Sequence, residues 1–212
     1  MQKLPIKAAA IRNLTDARYF AAWITDWMSF PMDEVSPGEY AAMCEWVEGP
    51  RMAGEFGHLP VEEVLAICRE TGLEGVQVGT FFDPENLDAL REHFIFQERI
   101  IENDTSISEL RTWLSVRKAK VHVFLLDFSA NGVSWAQLCE KSQPFSWKDL
   151  QSLCHEYPIW LDIPVAPQDL SEMVETLQPA GLNLKGGEEE KVGYKSFEDL
   201  DAYFEVLEEV SF

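Results

Sequence analysis

The chain alternates between short apolar runs and longer segments in which apolar residues recur every three or four positions. The short runs are typical of strands covered on both faces, and they lie at residues 6–11, 27–32, 52–56, 76–79, 94–101, 121–128, 159–165 and 182–185. The longer segments predict helices at residues 14–24, 36–47, 60–70, 86–92, 107–118, 147–156, 168–177 and 197–210. This order predicts a mostly parallel sheet with crossover helices.

Roughly eight strand–helix units fit into 212 residues, a length near the lower end for a closed (β/α)8 or TIM barrel. We therefore expect residues 1–212 to form one α/β domain of this class. An open doubly wound sheet is the alternative, but no GxGxxG turn follows the first predicted strand. The longest predicted connection, residues 129–145, follows the sixth strand on the face where barrel active sites are built.

The balance of acidic and basic residues limits the classes of partner that the chain is expected to bind. Lys and Arg total 17 against 37 Asp and Glu, which gives a formal net charge of -20. Nucleic acid and anionic membranes are bound through basic side chains, so we expect neither as a partner. The same mean field opposes a phosphorylated metabolite unless a local site overrides it. No apolar run is long enough to cross a bilayer.

The cysteines contain no CxxC pair, and Cys44 and Cys68 lie on apolar helix faces. We expect free thiols at those two positions and a cytoplasmic protein without disulfides. The N-terminal residues do not join a basic region to an apolar run, so no signal peptide is expected. Whether the chain is a monomer or a homodimer stays open.

Residues 6–17, at the first predicted strand and the start of the first helix, read IKAAAIRNLTDA. This segment resembles the opening of the phosphoribosylanthranilate isomerase family, which reads VKICGIT followed by N-x-x-D-A. The family's GVFVN strand is similar to GEFGH at residues 54–58, and its LDAVQLHG strand is similar to LEGVQVGT at residues 73–80. Each match is weak alone, and their common order along the chain gives them weight.

The second half continues the resemblance in the same order. The family's LLD matches residues 125–127, and its T-F-D-W is similar to PFSW at residues 144–147. PVILAGGLNPENV corresponds to PIWLDIPVAPQDL at residues 158–170, and GVDVSSGVESSPGVKD corresponds to GLNLKGGEEEKVGYKS at residues 181–196. The resemblance implies a TIM barrel and an isomerase of tryptophan biosynthesis.

The family reaction is an Amadori rearrangement of N-(5-phosphoribosyl)anthranilate, which needs an acid, a base and a phosphate clamp but no metal or other cofactor. The resemblance implies that Asp127 is the general acid, although a strand-end Asp can simply cap a loop. The catalytic cysteine of VKICG is Ala9 here, and alanine cannot accept a proton. Cys139, in the connection after the sixth strand on the catalytic face, is the alternative candidate for this base.

The phosphate clamp also departs from the family. Its Gly-Gly after the seventh strand is Ile163-Pro164, and proline offers no N–H donor. Its Ser-Ser-Gly after the eighth strand is Lys185-Gly186-Gly187, which could still hold an anion on backbone N–H groups. Three glutamates follow directly and oppose a bound anion.

Further family features are missing at the same face. The SPR segment, which carries a substrate-binding arginine, is shortened to PMDE at residues 31–34, and the histidine of VQLHG is Gly79. The GGTGKT loop keeps only Gly132 of its glycines. Loss of nearly all these features, with the scaffold pattern kept, indicates a pseudoenzyme or a redirected function.

Several charged residues are predicted inside the barrel near its mouth. Lys7 shares a strand face with Ala9, and carboxylates end other strands at Glu55, Glu98, Asp127 and Asp162. They form either a structural ion-pair network or a new acid–base site. His58 and His122 have no companions at metal-ligand spacing, so we expect no metal.

Three functions remain open. The chain is a family isomerase with little or no standard activity, or an enzyme or binder for a different small metabolite, including a phosphorylated one. The residues expected to bind such a ligand are Lys7, Asp162, Lys185, Gly186 and Gly187. The third alternative is a non-catalytic protein that binds a partner through its acidic surface. Fold alone does not decide among them.

Overall fold

Eight parallel strands close into a barrel in chain order, as the sequence predicts. The computed structural model describes residues 3–141, 143–186, 189–191, 194–195 and 197–209. The strands are β1 (Ile6–Ala9), β2 (Trp27–Pro31), β3 (Arg51–Phe56), β4 (Gly75–Val78), β5 (Phe94–Ile100), β6 (Val123–Asp127), β7 (Ile159–Asp162) and β8 (Gly181–Lys185). β1 closes the barrel by pairing with β8, which sets Lys7 opposite Asn183.

Helices cover the outside of the barrel. They are α1 (Leu14–Ala22), α2 (Pro37–Cys44), α3 (Val61–Thr71), α4 (Ile107–Arg117), α5 (Trp135–Lys141), α6 (Trp147–Glu156), α7 (Pro167–Leu177) and α8 (Glu198–Glu209). Local sequence sets several of their ends. Ser36 and Glu39 form a capping box before α2, and Gly72 ends α3 in the left-handed region with φ +70.

Three connections differ from the predictions. The segment 129–145 is not a plain loop, because it contains a 3₁₀ helix (Ser129–Asn131) and α5. The helix predicted at 86–92 is a 3₁₀ helix over Pro84–Leu90, started by Pro84 and capped by Asp83. After β8 the chain forms a small antiparallel pair, β9 (Glu189–Lys191) and β10 (Tyr194–Lys195), which the sequence did not predict.

The lower half of the barrel interior is apolar. Trp27, Phe96 and Trp160 come from non-adjacent strands, yet the Phe96 ring centroid lies 5.2 Å from that of Trp27 and 5.6 Å from that of Trp160. The guanidinium of Arg51 stacks 4.1 Å from the Trp27 ring. This aromatic floor fills the barrel and supports the polar residues above it.

Glycine makes room for the aromatic floor. A Cβ on Gly181 would lie 2.4 Å from Trp160 Cε2, and a Cβ on Gly75 would lie 2.7 Å from Trp27 Cζ3. Real side chains do not approach so closely, so these positions require glycine unless the indoles move. The two strands therefore pass close to the tryptophans because they carry no side chain there.

Within the described part of the chain, no helix combines the length and the apolar character needed to cross a membrane.

Candidate active site

A cavity of about 400 Å³ opens at the carboxyl ends of the strands. Its wall includes Ala9, Glu55, Gln77, Glu98 and Lys185. This is the end of a β/α barrel at which active sites are built, because the loops after all eight strands converge there. The mouth is therefore open and lined mainly by polar side chains.

Lys7 lies in the barrel interior below the cavity, where its hydrogen bonds connect several strands. It is completely buried, and its Nζ donates to Gln77 Oε1 at 2.7 Å and to Asn183 Oδ1 at 2.9 Å. Burial lowers its pKa below the ordinary value, while the nearby carboxylates, Glu55 first, oppose that shift. Since its donors are occupied by residues of β4 and β8, Lys7 links opposite walls of the barrel.

Glu55 is held as a carboxylate beside Lys7. Its Oε1 lies 3.6 Å from Lys7 Nζ and accepts hydrogen bonds from the Ser29 hydroxyl and from the Ala10 N–H at 2.9 Å. Burial raises the pKa of Glu55, but Lys7 and these two donors outweigh burial and bring the pKa below its ordinary value. Glu55 is therefore a poor proton acceptor near neutral pH.

Glu98 is the opposite case in the same cavity. Its Oε1 accepts from Gln77 Nε2 at 3.1 Å. Burial, reinforced by the neighbouring Asp127 and Glu55 carboxylates, raises the pKa of Glu98 to about 7. A carboxyl group with a pKa near 7 exchanges protons readily at neutral pH.

Lys185 connects the two aspartates that end β6 and β7. Its Nζ lies 2.8 Å from Asp127 Oδ2 and 2.8 Å from Asp162 Oδ2. Burial lowers the pKa of Lys185, but Asp162 and Asp127 outweigh it and hold that pKa above the ordinary value. Asp162 also accepts from Asn183 Nδ2 at 2.9 Å, so the triad joins the network around Lys7.

Asp127, the predicted general acid, lies at the carboxyl end of β6 and is buried at 3% exposure. Its Oδ1 accepts from the Ala130 N–H at 2.9 Å, and its Oδ2 accepts from Lys185. In this arrangement both oxygens accept hydrogen bonds. Loop capping and the ion pair with Lys185 therefore coexist at this residue.

Ala9 places a methyl group in the cavity wall where the resemblance implies a cysteine. The next residue, Ala10, has φ 55, which lies in the left-handed region that favours glycine. The resemblance has glycine at this position. The chain thus keeps the backbone turn after β1 while lacking the titratable side chain before it.

The predicted anion sites differ in their backbone. After β7, the carbonyl of Pro164 accepts from the Trp135 N–H at 2.9 Å, which ties this segment to α5. After β8, Gly186 follows Lys185 directly and is half-buried. Gly187, the other glycine predicted to bind an anion, lies outside the described residues.

The rim of the cavity carries an ion pair that the sequence analysis missed. Arg12 donates to Glu34 through Nε at 2.5 Å and through Nη2 at 2.9 Å, in a two-pronged contact between the loops after β1 and β2. A signal was present, since the shortened PMDE segment brings a carboxylate to the place where the resemblance has an arginine. Gln77 and Asn183 were also missed, although a polar residue within an apolar strand marks the interior face.

Cys139 is not among the residues of the cavity wall given above. It lies on α5 and is exposed. Burial, then the Glu172 and Asp169 carboxylates, raise its pKa, so little thiolate forms at neutral pH. The other cysteines, Cys44, Cys68 and Cys154, are also free. In the described ranges, no group of three or more His, Cys, Asp or Glu is arranged to hold a metal ion.

The geometry agrees with comparisons to known proteins. The family model "PRAI: N-(5'phosphoribosyl)anthranilate (PRA) isomerase" matches residues 10–206. A curated N-(5'-phosphoribosyl)anthranilate isomerase of Thermosynechococcus vestitus is 24% identical over 142 residues, 65% of this chain and 58% of that protein. The match thus spans less than two thirds of that relative's length.

Solved structures are similar over nearly the whole chain. Phosphoribosyl anthranilate isomerase from Thermus thermophilus is 25% identical with a TM-score of 0.76, covering 98% of this chain and 100% of that chain. The enzyme from Thermotoga maritima has the same TM-score of 0.76 and the same coverage, 98% and 100%, at 16% identity. Another phosphoribosyl anthranilate isomerase was solved in complex with reduced 1-(o-carboxyphenylamino)-1-deoxyribulose 5-phosphate. It is 16% identical with a TM-score of 0.76, and the match covers 98% of this chain and 100% of that chain.

Proposed function

Because the chain belongs to the N-(5'-phosphoribosyl)anthranilate isomerase family, we propose that its barrel mouth binds a small metabolite related to that substrate but catalyses the rearrangement weakly or not at all. The proposal keeps the ligand class of the family, a phosphorylated sugar joined to an aromatic amine, and separates binding from catalysis. It includes a cytoplasmic location, which the free cysteines support.

The observation that carries the proposal is the methyl group of Ala9 in the cavity wall. The resemblance implies that the group at this position removes a proton from the carbon next to the imine. A positioned base contributes about a hundredfold to ten-thousandfold to such a step. Alanine contributes nothing to it, so the rate should be lower by a factor in this range.

The retained acid position supports only part of the chemistry. Asp127 is bound by Lys185 and by the Ala130 N–H, and ring opening would need a proton on this side chain. The clamp after β7 is also weakened, because Pro164 has no N–H to donate to a phosphate oxygen. These features support weak turnover together with weakened phosphate binding.

The test follows the loss of anthranilate fluorescence in freshly made N-(5-phosphoribosyl)anthranilate. Wild type is compared with Ala9→Cys, which restores the implied base. We expect the rate of Ala9→Cys to exceed that of wild type by about a hundredfold or more, whether or not the wild-type rate rises above the buffer rate. An efficient wild-type rate, equal to that of the cysteine variant, would contradict the proposal. Growth of a strain lacking the isomerase provides an independent readout.

A second candidate is an enzyme or binder for a different small metabolite. The observation that favours it is the acidic wall of the cavity, where Glu55 and Glu98 face Lys185. Such a wall is better suited to a polar ligand with few negative charges than to a phosphate ester. Calorimetric titration with the reduced deoxyribulose phosphate separates the candidates, because only the first requires that this compound binds.

The third alternative, a non-catalytic partner protein, finds less support. It would be favoured by a mouth plugged with side chains, whereas this mouth holds a cavity of about 400 Å³. A space of this volume is typical of sites for small molecules.

A further inference from the structure

Glu98 combines three features of a proton-transfer group, and it differs from Glu55, whose bound oxygen lies 3.6 Å from Lys7 Nζ. It lies on β5 in the wall of the same cavity as Ala9. It accepts a hydrogen bond from Gln77 on one oxygen, Oε1. Within the described part of the chain no hydrogen bond to its Oε2 is found, and that oxygen is not among the fully buried polar atoms without a partner. One carboxyl oxygen is thus held and the other is available to a ligand.

We propose that Glu98 is the proton-transfer residue of this mouth and that it takes over, from the opposite wall, the base function that Ala9 cannot supply. The substrate class is a small molecule with an acidic C–H bond next to a C=N bond. The inference rests on the proposed function, since it assigns a residue to the weak rearrangement that remains.

Three other carboxylates at the mouth fit this role less well. Glu55 is occupied by Lys7, the Ser29 hydroxyl and the Ala10 N–H. Asp127 and Asp162 are both bound by Lys185. A carboxylate that is already neutralised by a cation gains little from accepting a proton, whereas Glu98 is not within ion-pair distance of a cation among the described residues.

The charged groups around Glu98 set its protonation. Asp127 on β6 and Glu55 on β3 repel its anionic form, and Lys185 on β8 and Lys7 on β1 attract it. Burial adds to the repulsion, and the result is a pKa of about 7. Near neutral pH both forms are therefore populated, which suits a group that first accepts and then returns a proton.

The step balances as a proton transfer without a cofactor. After ring opening, the C2–H bond of the iminium breaks and its proton forms a bond to a Glu98 oxygen. The C–H electron pair becomes the C1=C2 bond, and the C=N pair returns to nitrogen. Glu98 then delivers its proton to C1 as the enol O–H loses a proton to solvent, which leaves the ketone and restores the carboxylate.

The experiment measures the same fluorescence decay in wild type, Glu98→Gln, Glu98→Asp and Glu102→Gln. Glu102 is exposed just after β5 and does not line the cavity, so its variant is the matched control for loss of one carboxylate. Circular dichroism and thermal melting establish that each variant is folded. kcat and KM are determined separately, and wild type is measured from pH 5.5 to 8.5.

We expect a wild-type rate above the buffer rate, a loss of about a hundredfold or more in kcat for Glu98→Gln with KM nearly unchanged, and a partial rate in Glu98→Asp. The Glu102→Gln control should stay within about twofold of wild type. In wild type, kcat/KM should rise with pH and level off above about 7, because the base must be deprotonated.

Other outcomes overturn the inference. A wild-type rate equal to buffer removes any role for Glu98 while the proposed function stands. A measurable rate that Glu98→Gln does not change, or that shows no inflection between pH 6 and 8, also overturns it. If wild type is as efficient as Ala9→Cys, the proposed function fails, and the Glu98 variants alone then decide on Glu98. If Glu98→Gln does not fold, Glu98→Asp and the wild-type pH profile decide.

Discussion

The ammonium group of Lys185 lies 2.8 Å from the Asp127 carboxylate, a contact that joins the last strand of the barrel to the sixth. Asp127 has a side-chain exposure of only 5%, while Lys185 is 40% exposed. A half-buried cation therefore neutralises a buried anion, and Asp162 shares the same ammonium group. Asp127, which the resemblance implies is the general acid, is thus also part of the ion-pair network that links β6, β7 and β8 at the mouth.

Lys185→Met should destabilise the protein by about 1–3 kcal/mol at pH 7, because it leaves two buried carboxylates without their cation. Lys185 is partly exposed, so the loss of stability should be smaller than that expected for a fully buried ion pair. The pKa of Lys185 is raised in the folded state, so its stabilisation is fully present at neutral pH and is lost only as pH rises through that folded value. Urea unfolding measures the change. Lys3→Met, at an exposed position, is the control and should change stability little; equal losses in both variants would contradict the role of the pair.

Glu98→Gln should change how stability depends on pH. The folded-state pKa of about 7 lies above the ordinary 4.5, so the folded protein binds more protons than the unfolded chain between these values. The contribution of Glu98 is therefore favourable at low pH and is lost as pH rises from about 4.5 to 7. Relative to wild type, the variant should gain on the order of 2–3 kcal/mol between pH 4.5 and 8.

Urea unfolding at several pH values measures this difference. Glu102→Gln, an exposed carboxylate just after the same strand, is the control. A constant difference between wild type and Glu98→Gln across the range would show that Glu98 has an ordinary pKa in the folded protein.

Gly181→Ala should be strongly destabilising, by about 1–3 kcal/mol or more, because the added Cβ would lie 2.4 Å from Trp160 Cε2. Gly38→Ala is the matched change at an open site, since nothing lies within 4 Å of its Cβ. It lies within α2, where alanine is favoured over glycine by about 1 kcal/mol, so it should be neutral or stabilising. Thermal melting of both variants tests the close packing of β8 against the indole, and a tolerated Gly181→Ala would argue against it.

An anion held by this protein should bind at Gly186 rather than after β7. Pro164 supplies no N–H donor, whereas the backbone N–H of a glycine can be approached closely by an anion. Crystals soaked in phosphate or sulfate test this. Density at the backbone of Ile163 and Pro164, with none at Gly186, would be the contrary result.

Sequence reasoning reached the barrel because apolar runs and amphipathic segments alternate regularly. It places Asp127 at the mouth because the resemblance aligns the family's LLD with residues 125–127, near the end of the sixth predicted strand. It does not predict α5, although Trp135 and Leu138 are buried at helical spacing and Ser134 caps the helix by accepting a hydrogen bond from the Gln137 N–H at 3.2 Å.

The contacts that Lys185 makes with both Asp127 and Asp162 could not be predicted from the sequence. They depend on which strands face each other after the barrel closes, and β6, β7 and β8 are separated by long connections. The difference between Glu55 and Glu98 has the same origin. Both are glutamates near strand ends, and the contacts of Glu55 with Lys7, the Ser29 hydroxyl and the Ala10 N–H give them opposite shifts in pKa.

The aromatic floor has a consequence for how this protein can change over time. In the lower barrel Phe96 packs against both Trp27 and Trp160, and none of these three side chains lines the cavity of the mouth. Substitutions in the upper layer, such as alanine in place of a reactive thiol, therefore leave the packed base intact. During evolution the protein can lose one catalytic activity and gain another while the barrel still folds. The residues of the mouth can therefore change faster than those of the barrel beneath it.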